Sequence, residues 1–242
     1  MNSNYRIGLP PPPPPPAEII ICVPGNIFTD KFLMSWTEMI VSLQGKYIFK
    51  FSNRFSSQVN FARAMCLGAA VLRGPDQKPF DGQLKYDAII WLDSDMVFTP
   101  ELVDKLIQMT LHKYKVCSGI YAMDGGSHLC CVKDWDEEYY KENGTFKFIS
   151  VKEGQEFIKN KQNIQQCAYV GMGCMGIRYG VLEDKRFKYP WFFRNIAVIN
   201  ENVVDGTSED VSFIRNMIDS GVIDNVAVDL SLRFGHEKRI IY

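Results

Sequence analysis

The chain has 242 residues, 46% of them hydrophobic and 23% charged, and a formal net charge of -1. That length fits one α/β domain or at most two small ones, with enough apolar residues for a sizeable core. The near-neutral balance gives no support for a generally basic nucleic-acid binder or a protein drawn to anionic membranes, and leaves a local basic patch open.

Leu9 to Pro16 reads LPPPPPPP. Each proline fixes φ and lacks an N–H, so residues 1–17 are expected to form a stiff arm. It serves either as a spacer before the first strand or as a segment that docks in an aromatic groove. AEIIICVPG follows, a continuous apolar run stopped by Pro-Gly, which predicts a buried parallel strand. Residues 30–44 place apolar side chains at helical spacing behind Asp30 as a cap. KYIFKFS predicts a second strand, and SSQVNFARAMCLGAAVL a helix that runs to the turn-rich RGPDQKPFDGQ. YDAIIWLDSD predicts the next strand, TPELVDKLIQMTL a helix with Thr99 as N-cap and Pro100 at its first position, and KVCSGIYA another strand. This β-α-β-α-β-α-β order predicts a mostly parallel sheet with helices on both faces.

The second half is less regular. Residues 128–165 are charged and aromatic and predict hairpins and loops covering a site. CAYVGMGCMGIRYGVLE is punctuated by Gly171, Gly173 and Gly176, SEDVSFIRNMIDSG predicts a helix capped by Ser208, and VAVDLSLRFGHEK predicts a closing strand. No linker composition divides residues 18–242, which read as one domain. The seven cysteines form no CxxC pair, which argues against a disulfide framework or structural zinc and fits reduced thiols. No apolar run reaches bilayer-spanning length and no leader pattern opens the chain, so a soluble cytoplasmic protein is expected.

Asp93 and Asp95 close the apolar strand AIIWL. Burying a carboxylate costs several kcal/mol unless a cation or donors compensate it. On a strand end, alternate residues project side by side at the carboxyl edge of the sheet, where open α/β sheets bind ligands. Paired hard oxygens suit Mg²⁺ or Mn²⁺, and such a metal in turn holds a diphosphate; a solvated acidic turn gives the same pattern.

IIWLDSDMVFTPELVDKL resembles the strand, Asp-x-Asp and following helix of GT-A fold glycosyltransferases of the family-2-like and Anp1-like kinds. IIICVPGN, NFARAMCLGAAV, AYVGMGCMGIRYGVLE, SEDVSFIRNM and LRFGHEK resemble further pieces in the same order, over roughly residues 18 to 240. The resemblance implies a GT-A, Rossmann-like fold and transfer of a sugar from a nucleotide-diphosphate sugar to a hydroxyl, with Mn²⁺ or Mg²⁺. It implies Asp95 and His236 as metal ligands, with Asp93 on the ribose or a metal-bound water. Pro24, Gly25, Asn26, Asn60, Arg63, Asp93 and Ser94 would lie on the donor side. Asp210, with Glu209 second, would be the general base of an inverting enzyme; Anp1-like relatives would instead retain configuration.

Each position also has a plainer explanation. Acids in the first turn of a helix complement its dipole. Arg63 could be an exposed helical residue. Gly171 and Gly173 either admit the acceptor or mark bulges, and Trp191, with Phe192 and Phe193, is either an acceptor platform or core. The acceptor stays open among a glycan, a protein hydroxyl and a hydroxylated DNA base, the last suiting a viral or bacterial enzyme. A nucleotidyltransferase and a non-catalytic nucleotide-sugar-binding module are the alternatives. VPGNIFTDKF lacks the Gly-rich basic loop that a triphosphate asks for, and the full set of acids argues against a decayed site.

Overall fold

The computed structural model describes residues 14–123 and 125–238. Most of the proline run, and Arg239 to Tyr242 at the other end, therefore lie outside the described residues. In chain order the elements are β1 Ala17–Pro24, α1 Asp30–Leu43, β2 Tyr47–Arg54, α2 Val59–Cys66, β3 Ala88–Leu92, β4 Met96–Val97, α3 Pro100–His112 and β5 Val116–Ile120. Then come β6 His128–Val132, α4 Glu137–Asn143, β7 Phe148–Ser150, α5 Val151–Lys159, β8 Ile164–Cys167, β9 Tyr169–Val170 and β10 Cys174–Arg178. Two strands, β11 Ile196–Asn200 and β12 Val203–Gly206, precede α6 Glu209–Asp219, β13 Val226–Arg233 and β14 Gly235–His236.

Seven strands form one sheet in the order β2-β1-β3-β10-β5-β13-β8. β1 runs parallel to β2 and β3, and β13 parallel to β5. β10 enters antiparallel between β3 and β5. The apolar runs are continuous because both faces are covered. Ile19, Ile21 and Val23 pack with Phe32 and Met39 of α1 and Leu106 of α3, while Ile20 and Cys22 pack with Ala64 of α2 and Phe213 of α6. β3 divides the same way, Ile90 and Leu92 to the α1/α3 side and Ile89 and Trp91 to the α2/α6 side. Each such isoleucine contributes about 1.5–3 kcal/mol by leaving water.

Three local expectations change. Thr29, not Asp30, caps α1: its hydroxyl accepts the Phe32 N–H at 3.1 Å, and Asp30 is the first helical residue. The second helix ends at Cys66 rather than running through the apolar CLGAAVL. Gly68 there adopts φ +73°, and the Gln77 amide takes up both the N–H and the carbonyl of Ala70. The stretch 128–165 holds two helices, not only hairpins. Asp136 caps α4, whose C-terminus turns off at Gly144, and Ser150 and Glu153 form a capping box on α5. Among the described residues no helix is long and apolar enough to cross a membrane, and all seven cysteines are free thiols.

Candidate donor and metal site

The Asp-x-Asp loop is built by strand pairing on three sides. Asp93 donates its N–H to the Gly173 carbonyl at the start of β10, and Met96 closes the turn by donating to the Asp93 carbonyl. β13 then carries the late histidine to it. Its register shifts between Val228 and Arg233, Phe234 donates to Ile120, and β14 pairs with β4, His236 opposite Met96 and Gly235 opposite Val97. A Cβ at Gly235 would lie 3.0 Å from Val97 Cβ, so the close approach is specific to glycine.

This pairing brings His236 Nε2 within 3.2 Å of Asp95 Oδ2. The other ring nitrogen, Nδ1, lies 3.3 Å from the Ala122 carbonyl, and the ring sits edge-on to Tyr121. The bond to Asp95 holds the imidazole above its ordinary pKa against the opposing effect of burial. Burial pushes Asp95 up, but the bond and charge of His236 outweigh it and the carboxyl stays below its usual range.

Asp93 turns away from this pair. Its Oδ2 accepts from Arg63 Nη2 at 3.0 Å, while Arg63 Nε donates to Glu209 Oε1 at 3.0 Å. Arg63 is only 4% exposed, lies over the Trp91 ring and is therefore not the surface residue a solvated helix would carry. Burial opposes its charge, yet Asp93 and Glu209 raise its pKa above the ordinary value. Arg63 Nη1 and Asp93 Oδ1 are buried without a hydrogen-bond partner. Asp93 thus anchors Arg63 through Oδ2 and keeps Oδ1 free beside the cleft. Among the described residues no three His, Cys, Asp or Glu side chains cluster as a closed metal site.

What remains fits a hard divalent ion held incompletely by protein. Asp95 and His236 supply one oxygen and one nitrogen, and Mg²⁺ and Mn²⁺ sites commonly complete their shell with water and phosphate oxygens. The donor Nδ1–H to a backbone carbonyl is the arrangement that leaves Nε2 for a metal. A cleft of about 470 Å³ opens beside them, lined by Pro24, Thr29, Asp93, Ser94, Asp95 and Glu237 among others, and Glu237 Oε2 is a further orphaned buried oxygen. Sequence reasoning missed Glu237, one residue beyond the histidine. It also missed Asn53, whose amide donates to the carbonyls of Val23 and Gly25 and so shapes the turn after β1. Gly25 takes φ +126°, and a Cβ there would lie 2.9 Å from Ser94 Oγ, so the two loops touch only with glycine. Asn26 is exposed at this turn; Asn60 is half-buried on α2, one turn before Arg63.

The two acids opening α6 are separated as adjacent helical residues must be. Glu209 is 8% exposed and accepts from Arg63 Nε, so its carboxylate is committed to that guanidinium. Asp210 instead accepts from the Tyr169 hydroxyl at 2.9 Å, from the Val211 N–H at 2.8 Å and from the Ser208 hydroxyl. Burial, then the Asp210 charge, push the Tyr169 phenol well above its ordinary pKa, so it stays a neutral donor. Ser208 occupies the N-cap but spends its hydroxyl on Asp210.

The glycine and aromatic expectations are corrected by burial. A Cβ at Gly171 would fall 2.1 Å from the Tyr121 hydroxyl, one at Gly173 2.9 Å from the same ring, and one at Gly176 2.0 Å from Thr110 Oγ1. These glycines are buried and admit protein side chains, Tyr121 above all, rather than an acceptor. Trp191 is fully buried, and Phe192 stacks on Phe213 at 4.3 Å, so these two rings are core and Trp191 offers no open platform. A different aromatic cleft of about 440 Å³ lies between the α4 region and β12. Trp135 and Phe146 stack in its wall at 3.9 Å, and Ser208 and Val211, which flank the α6 acids, line it. Its aromatic residues stand in DWDEEYYKENGTFKF, the segment expected only to cover a site.

The fold and its carboxyl-edge cleft define an α/β protein with a Rossmann-like, mostly parallel sheet covered on both faces. A197 from STIV superimposes with a TM-score of 0.50 and 14% identity over 93% of this chain and 96% of that one, and the likeness is one of fold. Mannosyl-3-phosphoglycerate synthase from Rubrobacter xylanophilus gives 0.46 and 10% over 93% and 68% of the two chains. Glucosyl-3-phosphoglycerate synthase from Mycobacterium tuberculosis, solved with Mn²⁺, uridine diphosphate and phosphoglyceric acid, gives 0.44 and 13% over 93% and 72%. No family model and no curated protein sequence matches the chain.

Proposed function

We propose that this chain is a metal-dependent glycosyltransferase that moves a sugar from a nucleotide-diphosphate sugar to a hydroxyl, with inversion. The observation that carries the reading is the meeting of Asp95 and His236 at the carboxyl edge of the sheet, beside the cleft that Asp93 and Asp95 line. Asp95 and His236 would hold Mn²⁺ or Mg²⁺, which when bound supplies positive charge to a departing diphosphate. Pro24, Gly25, Asn26 and Ser94 shape the wall on which the nucleoside lies. Arg63, fixed by two carboxylates, couples Asp93 on the donor side to the start of α6.

Asp210 is the general base. In the transfer its carboxylate takes the acceptor proton as the acceptor oxygen bonds to the sugar carbon. The carbon–oxygen bond to the diphosphate breaks on the opposite face and its electron pair leaves with the phosphate. Tyr169 and Ser208 orient the carboxylate, and the cleft walled by Trp135 and Phe146 takes the acceptor. The test is release of nucleotide from a panel of nucleotide sugars with Mn²⁺. Turnover by the wild type and none by Asp95→Asn supports the reading; equal turnover by both sinks it.

A further inference from the structure

A second apolar concavity adjoins the turn after β1, and what is inferred from it does not depend on the proposed transfer. It lies between α1 and the outer strand β2, encloses about 290 Å³, and its lining is almost wholly apolar. Aromatic rings run through it in sequence: Phe28 to Phe32 at 5.4 Å, Phe32 to Trp36 at 5.8 Å, Trp36 to Phe51 at 5.1 Å and Phe51 to Phe49 at 6.2 Å. Several of its members face water: Leu33 is 51% and Phe51 55% exposed. β2 is the outermost strand, and beyond the single bridge of Gln44 to Tyr47 no strand among the described residues pairs with its outer edge. The strand, YIFKFSNR, mixes aromatic with polar residues, and an open edge of eight residues offers backbone groups to a further chain.

The same sequence carries a ligand of matching chemistry, the seven prolines Pro10 to Pro16. Consecutive prolines are preorganised as an extended left-handed helix with bare carbonyls, the form that aromatic grooves bind at low entropic cost. Stacked rings offer flat faces to the pyrrolidines, and Trp36 brings an indole N–H, a donor suited to a proline carbonyl.

We propose that this groove receives the proline run of a second copy of the chain. The run enters β1 at Ala17, whose partner on β2 is Tyr47, whereas the groove lies at the far end, at Phe51 and Asn53. Four to six strand residues separate the two, about 13–20 Å. Reversing a run of prolines over that distance is opposed by their fixed φ. A second copy laid antiparallel along the β2 edge starts its β1 at the groove's own end of the strand, so its run has to turn across the sheet end and not to reverse along the strand. Its own β1 would begin beside the end of the first copy's β2, two strand spacings or about 10 Å away. Each copy's run then meets the other's groove.

The test measures the mass of the full chain in solution by sedimentation, with and without an excess of a synthetic peptide of residues 5–17. The proposal expects a dimer that the peptide converts to monomer. It expects a monomer when Pro11→Gly, Pro12→Gly and Pro13→Gly are introduced together, and again for Phe51→Glu, an exposed position where the fold tolerates charge. Circular dichroism and a cooperative melting transition report that each variant is folded. The peptide should bind the triple-glycine variant with a change in tryptophan fluorescence that Trp36→Phe removes. A monomeric full chain, a dimer that survives the triple substitution, or peptide binding indifferent to Phe51→Glu would each overturn it. A monomer whose own run fills its own groove counts among these failures.

Discussion

Arg63 is a cation with almost no access to water, and two carboxylates compensate it. Removing the cation strands both acids, and breaking a buried pair costs about 3–5 kcal/mol. Arg63→Met should therefore lower the unfolding free energy by about that amount in urea titration. The further change Glu209→Gln should recover part of the loss, because one stranded charge is neutralised. A loss under about 1 kcal/mol would mean that water reaches the network. The Asp95–His236 pair makes a separate prediction, with a pH sign. The raised imidazole contributes stability that is fully present below its ordinary pKa near 6.5 and lost as pH rises through its higher folded value. The depressed Asp95 contributes stability present above its ordinary value near 3.9 and lost as pH falls through its lower folded value. The melting temperatures of wild type and His236→Asn, without metal, should thus differ most between about pH 4 and 6.5, and the difference should shrink towards pH 9. Asp95 is 38% exposed, so the maximum is small, roughly 1–3 °C. A difference independent of pH would contradict the pairing.

Among the elements, β10 decides how the site closes. Entering antiparallel, it sets its first residues against the Asp93 loop and its middle against α3. Gly176→Ala would drive a methyl against Thr110 Oγ1, and overpacking of this kind costs about 1–3 kcal/mol. Thr110→Ala should restore most of it, as a double-mutant cycle by thermal unfolding would read. Equal losses in the two backgrounds would mean that the contact is not the cause. The glycines also mark where sequence reading stopped. Their spacing announced close approach, but that Tyr121 and Thr110 fill the space depends on contacts between segments about 50 and 66 residues apart. The helix shortened at Gly68 and the helices α4 and α5 were legible in principle. An αL glycine, an Asp136 cap and a Ser150–Glu153 capping box are local signals, outweighed in the reading by apolar continuity in one case and charge density in the other.

For the whole molecule, the alternation of apolar strands and amphipathic helices specified the doubly covered sheet, since burial on both faces leaves a continuous apolar run that periodicity reports directly. Asp93 and Asp95 could be singled out because carboxylates at the end of an apolar strand are costly to bury, whereas Arg63, Asp210 and His236 stood out through the resemblance. Their partners could not be. Asp93 and Glu209 both look like free acids in sequence, and only the crossing of α2, β3 and α6 assigns them to one guanidinium. The aromatic cleft beside Asp210 was likewise hidden, being assembled from the α4 region and β12.

The central claim is that Asp95 and His236 form a divalent-metal site for a nucleotide diphosphate. Its most direct measurement is the melting temperature with uridine, guanosine, cytidine and thymidine diphosphates, each with and without Mn²⁺. At least one should raise the transition by about 5 °C in wild type only when Mn²⁺ is present, and Asp95→Asn should abolish the rise. No rise with any of them, or a rise that persists without metal and in Asp95→Asn, would contradict the account.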